Sequence, residues 1–397
     1  MPNPRPSLGL AVLLTTLVAL GPLSTDLYLP ALPTLASVFA TDAARVQLTL
    51  SVFLAGFACG QLFYGPLSDR FGRRPVLLGG LLVYFLASLA CVFASDIEML
   101  IVARFVQALG ACAGPVLGRA IVRDVWGASE SARVIAYIGG AMAIAPLLGP
   151  TLGGFLTVLF GWQANFVLLA LFSGVQCIAI ARLLVESNVR CDPTATRPRR
   201  IAENFGKLIA DRRYVGYLLT FSFSYAALFA FISGSSFVLS ERFGLSPQVY
   251  GMCFGVVVAG YLIGSLISGR LVRRFGSDWL VVAGAWLGAC AGLTMWGLEL
   301  SSLQHIAAIL GPMFFCTLAT GLVMPNCIGR ALAPYPDMAG SASALMGFAQ
   351  MSIAALVGVG VGHGLSEGGG ALAAAVATCT VLAPLSHLVF IRLRQAD

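Results

Sequence analysis

Stretches of about twenty residues or more without a single Asp, Glu, Lys or Arg follow one another along almost the whole of this 397-residue chain. A helix needs about 20 apolar residues to cross a hydrocarbon core about 30 Å thick, so each stretch is long enough for one crossing. Nine are uninterrupted: 6–25, 46–68, 75–95, 214–240, 243–269, 279–298, 300–329, 338–366 and 368–391. The uncharged run 134–181 is too long for one crossing and breaks at Gly161-Trp162-Gln163, which gives two more. Residues 99–122, interrupted only by Arg104 and Arg119, give the twelfth. Only 10% of the residues are charged, against about 25% in a soluble domain. The chain is therefore read as an all-α membrane protein of twelve transmembrane helices, numbered 1 to 12 in this order along the sequence.

Cytoplasmic loops accumulate Lys and Arg. With the amino terminus inside, only Arg45 and Arg242 of the 24 basic residues fall outside, and Arg104 and Arg119 lie within helix 4, leaving twenty on the cytoplasmic side. Both termini are thus expected in the cytoplasm. The net charge of +7 reports topology and contact with anionic lipid, and the absence of a basic stripe interleaved with aromatics argues against nucleic acid as a partner. The first apolar segment runs into Asp26-Leu27-Tyr28-Leu29-Pro30 and lacks a small-residue cleavage site, so it is read as a retained helix 1. The ten cysteines form no Cys-x-x-Cys pair and suggest neither a disulfide framework nor a metal site.

The long charged interruption 186–213, with Pro193, Pro198 and seven basic residues, follows the sixth helix and divides the chain. The expected organisation is a six-helix bundle over 1–186, a basic linker over 187–213 and a second six-helix bundle over 214–397. A duplication of this kind leaves similarity at a fixed offset. Residues 52–72 and 256–276 agree at ten of 21 positions, including Gly56/Gly260, Gly60/Gly264, Gly65/Gly269, Arg70/Arg274, Phe71/Phe275 and Gly72/Gly276. Parallel six-helix repeats hold substrate near the midplane between the halves in several transporter folds.

The loop Gly65-Pro66-Leu67-Ser68-Asp69-Arg70-Phe71-Gly72-Arg73-Arg74 resembles the signature between helices 2 and 3 of the major facilitator superfamily. Its glycine is expected to let two helix ends approach closely, its acid to meet the positive end of a helix dipole, and Arg70, Arg73 and Arg74 to anchor the loop inside. In the second copy Asp69 is replaced by Arg273. Arg104-Phe105-Val106-Gln107-Ala108-Leu109-Gly110 and Gly149-Pro150-Thr151-Leu152-Gly153-Gly154 resemble the helix 4 and helix 5 motifs of the drug/proton antiporters of that family, with Ala108 where many relatives carry Gly. Residues 24–33 and 339–345 are similar to the Bcr/CflA subgroup, the bicyclomycin and chloramphenicol exporters. The resemblance covers the whole chain. It implies a multi-pass protein of the bacterial inner membrane in which two bundles rock about a central site, exporting drugs or other small lipophilic compounds in exchange for protons, with no cofactor beyond the proton gradient.

Among 17 acidic residues, Asp26 alone falls well within a crossing, and an ionisable group there is a functional candidate by default. Relatives place a proton-handling acid at this point of helix 1, which makes Asp26 the expected proton carrier. Arg104 begins about six residues, roughly 9 Å, inside the outer end of helix 4. It is expected to meet Asp26, with Gln107 and main-chain oxygens as further partners, so that burial and the guanidinium compete over the carboxyl's proton. Gly139, Gly140, Pro146, Gly149, Pro150, Gly153 and Gly154 make helix 5 smooth and bendable, fit for contact with the opposite half. Helix 7 carries Phe221, Phe223, Tyr225, Phe229, Phe231 and Phe237, an aromatic density suited to an apolar drug pocket, although not all on one face. Tyr28 and Gln107 are added as polar groups to orient a ligand, and Asn326, beside Pro325, is read as a satisfied group near the inner end of helix 10.

No clustered acids or histidines suggest an enzyme or a metal site, and no phosphate-cradling Gly-x-x-x-x-Gly-Lys loop suggests an ATP-driven pump. Two other readings share the fold: an exporter or importer of a polar metabolite such as an amino acid or sugar, and a non-transporting sensor. The isolated Asp26 and the aromatic helix 7 favour drug export. A monomer is expected.

Overall fold

The computed structural model describes residues 8–142, 144–188, 191–301, 305–335, 338–367 and 370–392, with side chains for all of these except 8, 127–133, 135–142, 144–147, 198, 200, 366, 367 and 392. Among the described residues ten helices are long and apolar enough to cross a membrane, and a bent pair in the first position supplies an eleventh. A shorter apolar helix, Ile144–Phe160, occupies the fifth position. Large apolar side chains such as Phe63, Leu86, Val102, Leu171, Leu266 and Leu356 are exposed on the helices. Such a surface is unsuited to water and suited to lipid.

Helix 1 is built from pieces: Leu8–Val18, Leu20–Asp26, a 3-10 turn Leu29–Ala31 and Leu32–Val38, with a 41° change of direction after Val18. Pro22, Pro30 and Pro33 account for the interruption, because each removes a backbone donor. Helix 2 spans Ala43–Phe71, its start capped by Asp42, whose carboxylate accepts from the Arg45 amide at 2.7 Å. Helix 3 (Arg73–Val92) follows through Gly72 alone. Helix 4 runs on through Ile97–Met142, and its first thirty residues form the crossing. The sequence reading placed a loop between 122 and 134; Ala128, Glu130, Ala132 and Arg133 are good helix formers, and the chain stays helical through them. Helix 6 is Gln163–Leu183, separated from helix 5 at Gly161 as expected.

A linker helix, Pro198–Ala210, leads to helices 7 (Arg212–Phe243), 8 (Pro247–Phe275), 9 (Ser277–Leu300), 10 (Ala307–Leu332), 11 (Ala339–Glu367) and 12 (Ala371–His387). The linker helix lies on helices 7 and 11, with Leu208 buried and Asn204 donating to Ser341 at 3.3 Å. Gly72 and Gly276, equivalent in the sequence repeat, both cap one helix and start the next with φ of 96° and 78°. That left-handed backbone explains why both copies end in glycine.

Within each half the repeat glycines let backbones touch. Gly56 and Gly60 lie against Phe105, Ala108 and Cys112 of helix 4, and Gly260 and Gly264 lie against Phe314, Thr317 and Leu318 of helix 10. Between the halves, helix 2 packs on helix 11 and helix 5 on helix 8, and residues 29–38 of helix 1 reach helices 7 and 8. The face bearing Gly72 and Gly276 is called the basic face below, and the opposite one the far face.

These contacts separate two kinds of glycine. Gly60→Ala and Gly264→Ala should lower the thermal midpoint of the detergent-solubilised protein, by about 1–3 kcal/mol of stability, because a Cβ would strike helix 4 or helix 10. Gly65→Ala and Gly269→Ala, where a Cβ meets open space, should leave it unchanged or raise it by up to about 1 kcal/mol.

Candidate functional site

Asp26 is the last residue of the second piece of helix 1 and is 3% exposed. The helix does not end there; it turns through Leu29–Ala31 and continues to Val38, which carries the carboxyl inside the protein. Thr25 donates to Asp26 Oδ1 at 3.1 Å, and among the described residues no cation comes within ion-pairing distance. A carboxyl at the carboxy-terminal end of a helix piece gains nothing from the local dipole.

Arg104 is fully buried, and it does not meet Asp26. Its guanidinium sits in an aromatic cage, 4.3 Å from the Phe53 ring centroid, 4.9 Å from Tyr28 and 5.7 Å from Phe166. Nη1 donates to Gln107 Oε1 at 2.6 Å, three residues on along helix 4, while Nε and Nη2 make no hydrogen bond among the described residues. Cation–π attraction in a desolvated cage takes the place of the expected counter-charge. From Gln107 a polar chain crosses the first half: its amide donates to Ser88 at 2.8 Å, Ser88 donates to the Tyr84 carbonyl, and the Tyr84 and Ser24 hydroxyls share a 2.6 Å hydrogen bond. That chain ends two residues from Asp26. Tyr28, the other flank, shares a 2.9 Å hydrogen bond with Thr49. Arg104 is thus joined to both sides of the helix 1 turn without touching the acid.

Helix 5 lies between that turn and the other half. A Cβ on Gly149 would come within 3.0 Å of Asp26 Cβ, and one on Gly153 would run into the Leu27 carbonyl. On the opposing side Gly154 meets the Pro247 backbone, and Gly251 of helix 8 meets Pro150 and Thr151. The motif therefore divides its contacts, with Gly149 and Gly153 toward the acid and Pro150 and Gly154 toward the second half. The surroundings of Gly139, Gly140 and Pro146 lie outside the described residues.

The aromatic residues of helix 7 separate by role. Phe229, Phe231 and Phe237 are buried in the core; Phe231 stacks on Phe254 of helix 8 with centroids 6.0 Å apart, and Tyr225 stacks on Phe229 at 6.5 Å. Phe223 and Tyr225 are half-buried, whereas Phe221 belongs to a separate cluster at the basic face with Tyr214 and Tyr217. Tyr28 and Gln107, expected to contact a ligand, are occupied by Arg104, Thr49 and Ser88. Asn326 donates to Ser268 Oγ and to the Leu322 carbonyl, both at 2.7 Å, so it is a satisfied buried amide.

The loop at the basic face departs from two expectations. A Cβ on Gly65 would meet nothing within 4 Å, so this glycine is not at a close helix approach. Asp69 binds Arg73 at 2.5 Å instead of a helix end; the dipole of helix 3 is met by Glu186, whose carboxylate accepts from the Arg73 and Arg74 amides at 2.9 and 3.0 Å. Arg73 also binds Asp124 at 3.1 Å, Arg74 donates to the Ala181 carbonyl, and Arg70 donates to Thr196 of the linker at 2.8 Å. In the second half the same clamp appears with opposite polarity: Asp278, at the start of helix 9, pairs with Arg330, near the end of helix 10, at 2.8 Å. The sequence reading passed over Glu186, Asp124, Tyr84, Ser88 and Phe53. Tyr84 and Ser88, four apart in an uncharged window, were the available signal for a shared polar face.

Helices long and apolar enough to cross a membrane, with a buried acid at the break in the first of them, are in keeping with a membrane transporter. The chain belongs to the Major Facilitator Superfamily, which it matches over residues 14–393. It is 33% identical to an uncharacterized transporter of this type, YdgK, from Bacillus subtilis, covering 91% of this chain and 90% of that one. To a bicyclomycin resistance protein homolog from Haemophilus influenzae it is 27% identical, covering 93% and 92%. The crystal structure of a D-xylose-proton symporter shares the fold, with a TM-score of 0.76 at 16% identity over 96% and 97% of the two chains.

Replacing Arg104 tests the cage. Arg104→Lys keeps the charge but loses the planar group that fits between three rings and bonds Gln107. It should destabilise the solubilised protein by about 1–3 kcal/mol, read as a fall in thermal midpoint.

Proposed function

We propose that this transporter exports small lipophilic compounds, antibiotics among them, in exchange for protons across the bacterial inner membrane, with its basic face in the cytoplasm and Asp26 as the proton carrier. The observation that carries this reading is a buried carboxyl with no cation within ion-pairing distance among the described residues, placed at a break in helix 1 and packed against Gly149 of helix 5. A carboxylate sealed there is costly, and the cost disappears once water reaches it. Opening and closing of the interface then drive release and uptake of a proton at this atom. The resistance protein among the relatives supports drugs as the cargo class, and the half-buried Phe223 and Tyr225 are the aromatic groups of helix 7 best placed to reach it. No cofactor is needed beyond the proton gradient, and one chain supplies the whole apparatus.

Arg104 enters as a positioning residue. It fixes Tyr28 on one side of the turn and, through Gln107, Ser88 and Tyr84, Ser24 on the other. The geometry of residues 24–28 is thereby set from outside the proton site. Helix 5 transmits the state of that turn, since Gly149 and Gly153 bear on it and Pro150 and Gly154 bear on helix 8.

The decisive experiment adds amphenicols, bicyclomycin and lipophilic cations to weakly buffered, solubilised protein and follows pH. Proton release on binding is expected for the native chain and absent from Asp26→Asn; ligand binding by the native chain without proton release would overturn Asp26 as carrier. Gly153→Ala, which drives a methyl into the Leu27 carbonyl, should make proteoliposomes leak protons without drug, read as faster collapse of an imposed pH gradient.

A further inference from the structure

Helices 8 and 9 meet at Gly276 in a turn that repeats the Gly72 turn of the first half, but the charges around the two turns are handled differently. Beside Gly72 each arginine has a partner within the protein: Arg70 has Thr196, Arg73 has Asp69 and Asp124, and Arg74 has the Ala181 carbonyl. Beside Gly276 the acid position of the repeat holds Arg273, and Arg270, Arg273 and Arg274 are all exposed. Spaced i, i+3 and i+4, the three share one face of helix 8. Among the described residues none of them pairs with a carboxylate; Asp278, the acid nearest in sequence, is taken by Arg330 and Tyr217. Like charges on one helix face repel, so the cluster favours an anion from outside the chain.

The cations lead directly into an apolar surface. The Arg274 guanidinium lies 5.3 Å from the Phe275 ring centroid, and Phe275 stacks on Trp279 with centroids 4.8 Å apart. Both rings are about half exposed. Such rings suit the headgroup level of a bilayer, where one side of an aromatic group is in hydrocarbon and the other is wet. From Trp279 the large exposed side chains of helix 9 recur every seven residues, at Trp286, Leu293 and Leu300, which keeps them near one line. Beside that line Cys290 and Gly297 are small and exposed, and a Cβ on Gly297 would meet nothing within 4 Å. Trp279 to Leu293 covers about 21 Å at 1.5 Å per residue, more than one leaflet of a core about 30 Å thick.

We propose that the helix 8–helix 9 turn is a binding site for an anionic phospholipid. Arg270, Arg273 and Arg274 hold its phosphate, Phe275 and Trp279 lie against its glycerol region, and one acyl chain follows Trp286 and Leu293. A lipid fits better than a soluble anion or an acidic protein segment, because the apolar strip begins at the cations and runs to membrane depth. The first half spends its arginines internally, so the two halves differ in their hold on the bilayer. The inference requires helices that cross a bilayer and is independent of the cargo and the proton carrier.

The test is native mass spectrometry of the full chain in detergent, titrated with phosphatidylglycerol or phosphatidylcholine. The native chain should retain phosphatidylglycerol under conditions that strip phosphatidylcholine. Arg270→Gln, Arg273→Gln and Arg274→Gln together should weaken that retention by on the order of tenfold or more, since each cation beside an anionic headgroup contributes about a factor of five. Removing as many charges from the linker, through Arg197→Gln, Arg199→Gln and Lys207→Gln, should leave it unchanged. Equal retention of the two lipids by the native chain, or equal weakening in both sets of variants, would overturn the proposal in favour of diffuse surface charge. The chain position is read separately in nanodiscs. Phosphatidylglycerol brominated on its acyl chains should quench the native tryptophan fluorescence more than brominated phosphatidylcholine does, and Trp279→Phe combined with Trp286→Phe should remove that difference. A difference that survives in the double variant would overturn the placement of the lipid on helix 9.

Discussion

Everything in the first half is arranged around the difficulty of keeping ionised groups away from water. Arg104 and Asp26 face the same problem and solve it separately. The arginine is delocalised and weakly hydrated, so three aromatic faces and one amide can hold it permanently. Among the described residues the carboxyl has one side-chain hydrogen bond, from the Thr25 hydroxyl. One charge is held by its neighbours, and the other residue is buried with no cation beside it among the described residues. Had the two formed an ion pair, each would have stabilised the other's charged state.

Helix 5 lies between the helix 1 turn and the second half. Its glycines remove side chains from two opposite faces at once, so the turn at Asp26 and the backbone of helix 8 lie on either side of a single smooth rod. A change in the turn of even a few tenths of an ångström has no compressible side chain in which to dissipate. At the helix 2–helix 11 seam it is side chains, Gln47, Ser51 and Gln61, that face the glycines of the opposite helix.

Much of this was legible in the sequence, because the governing rules are local. Charge-free windows gave the crossings, the glycine repeat gave two halves, and the depth of Asp26 identified it as unusual. The repeat glycines Gly56, Gly60, Gly260 and Gly264 also proved to be the contact points within each half. What was not legible depends on which faces meet in space. Arg104 was matched to Asp26 because opposite charges attract, yet the aromatic residues around it come from helices 1, 2 and 6, and no linear spacing announces such a cage. Glu186 stood at the edge of a charged linker, with nothing in its neighbours to reveal that it caps helix 3. The continuous helix after Trp126 was hidden because charge, usually a loop signal in membrane proteins, is equally compatible with a helix that projects beyond the bilayer.

The linker has a mechanical meaning that its sequence conceals. Its first part is fastened to the first half: the Asp192 amide donates to the Asp69 carbonyl, and Thr196 is held by Arg70. Two residues after Thr196 the linker helix begins, and that helix is bound to the second half through Leu208 and Asn204. The basic, proline-containing segment thus acts as a taut strap with almost no slack between its two anchorages. With residues 192–196 held to helix 2 and the linker helix held to helices 7 and 11, the strap ties the two halves together at the basic face.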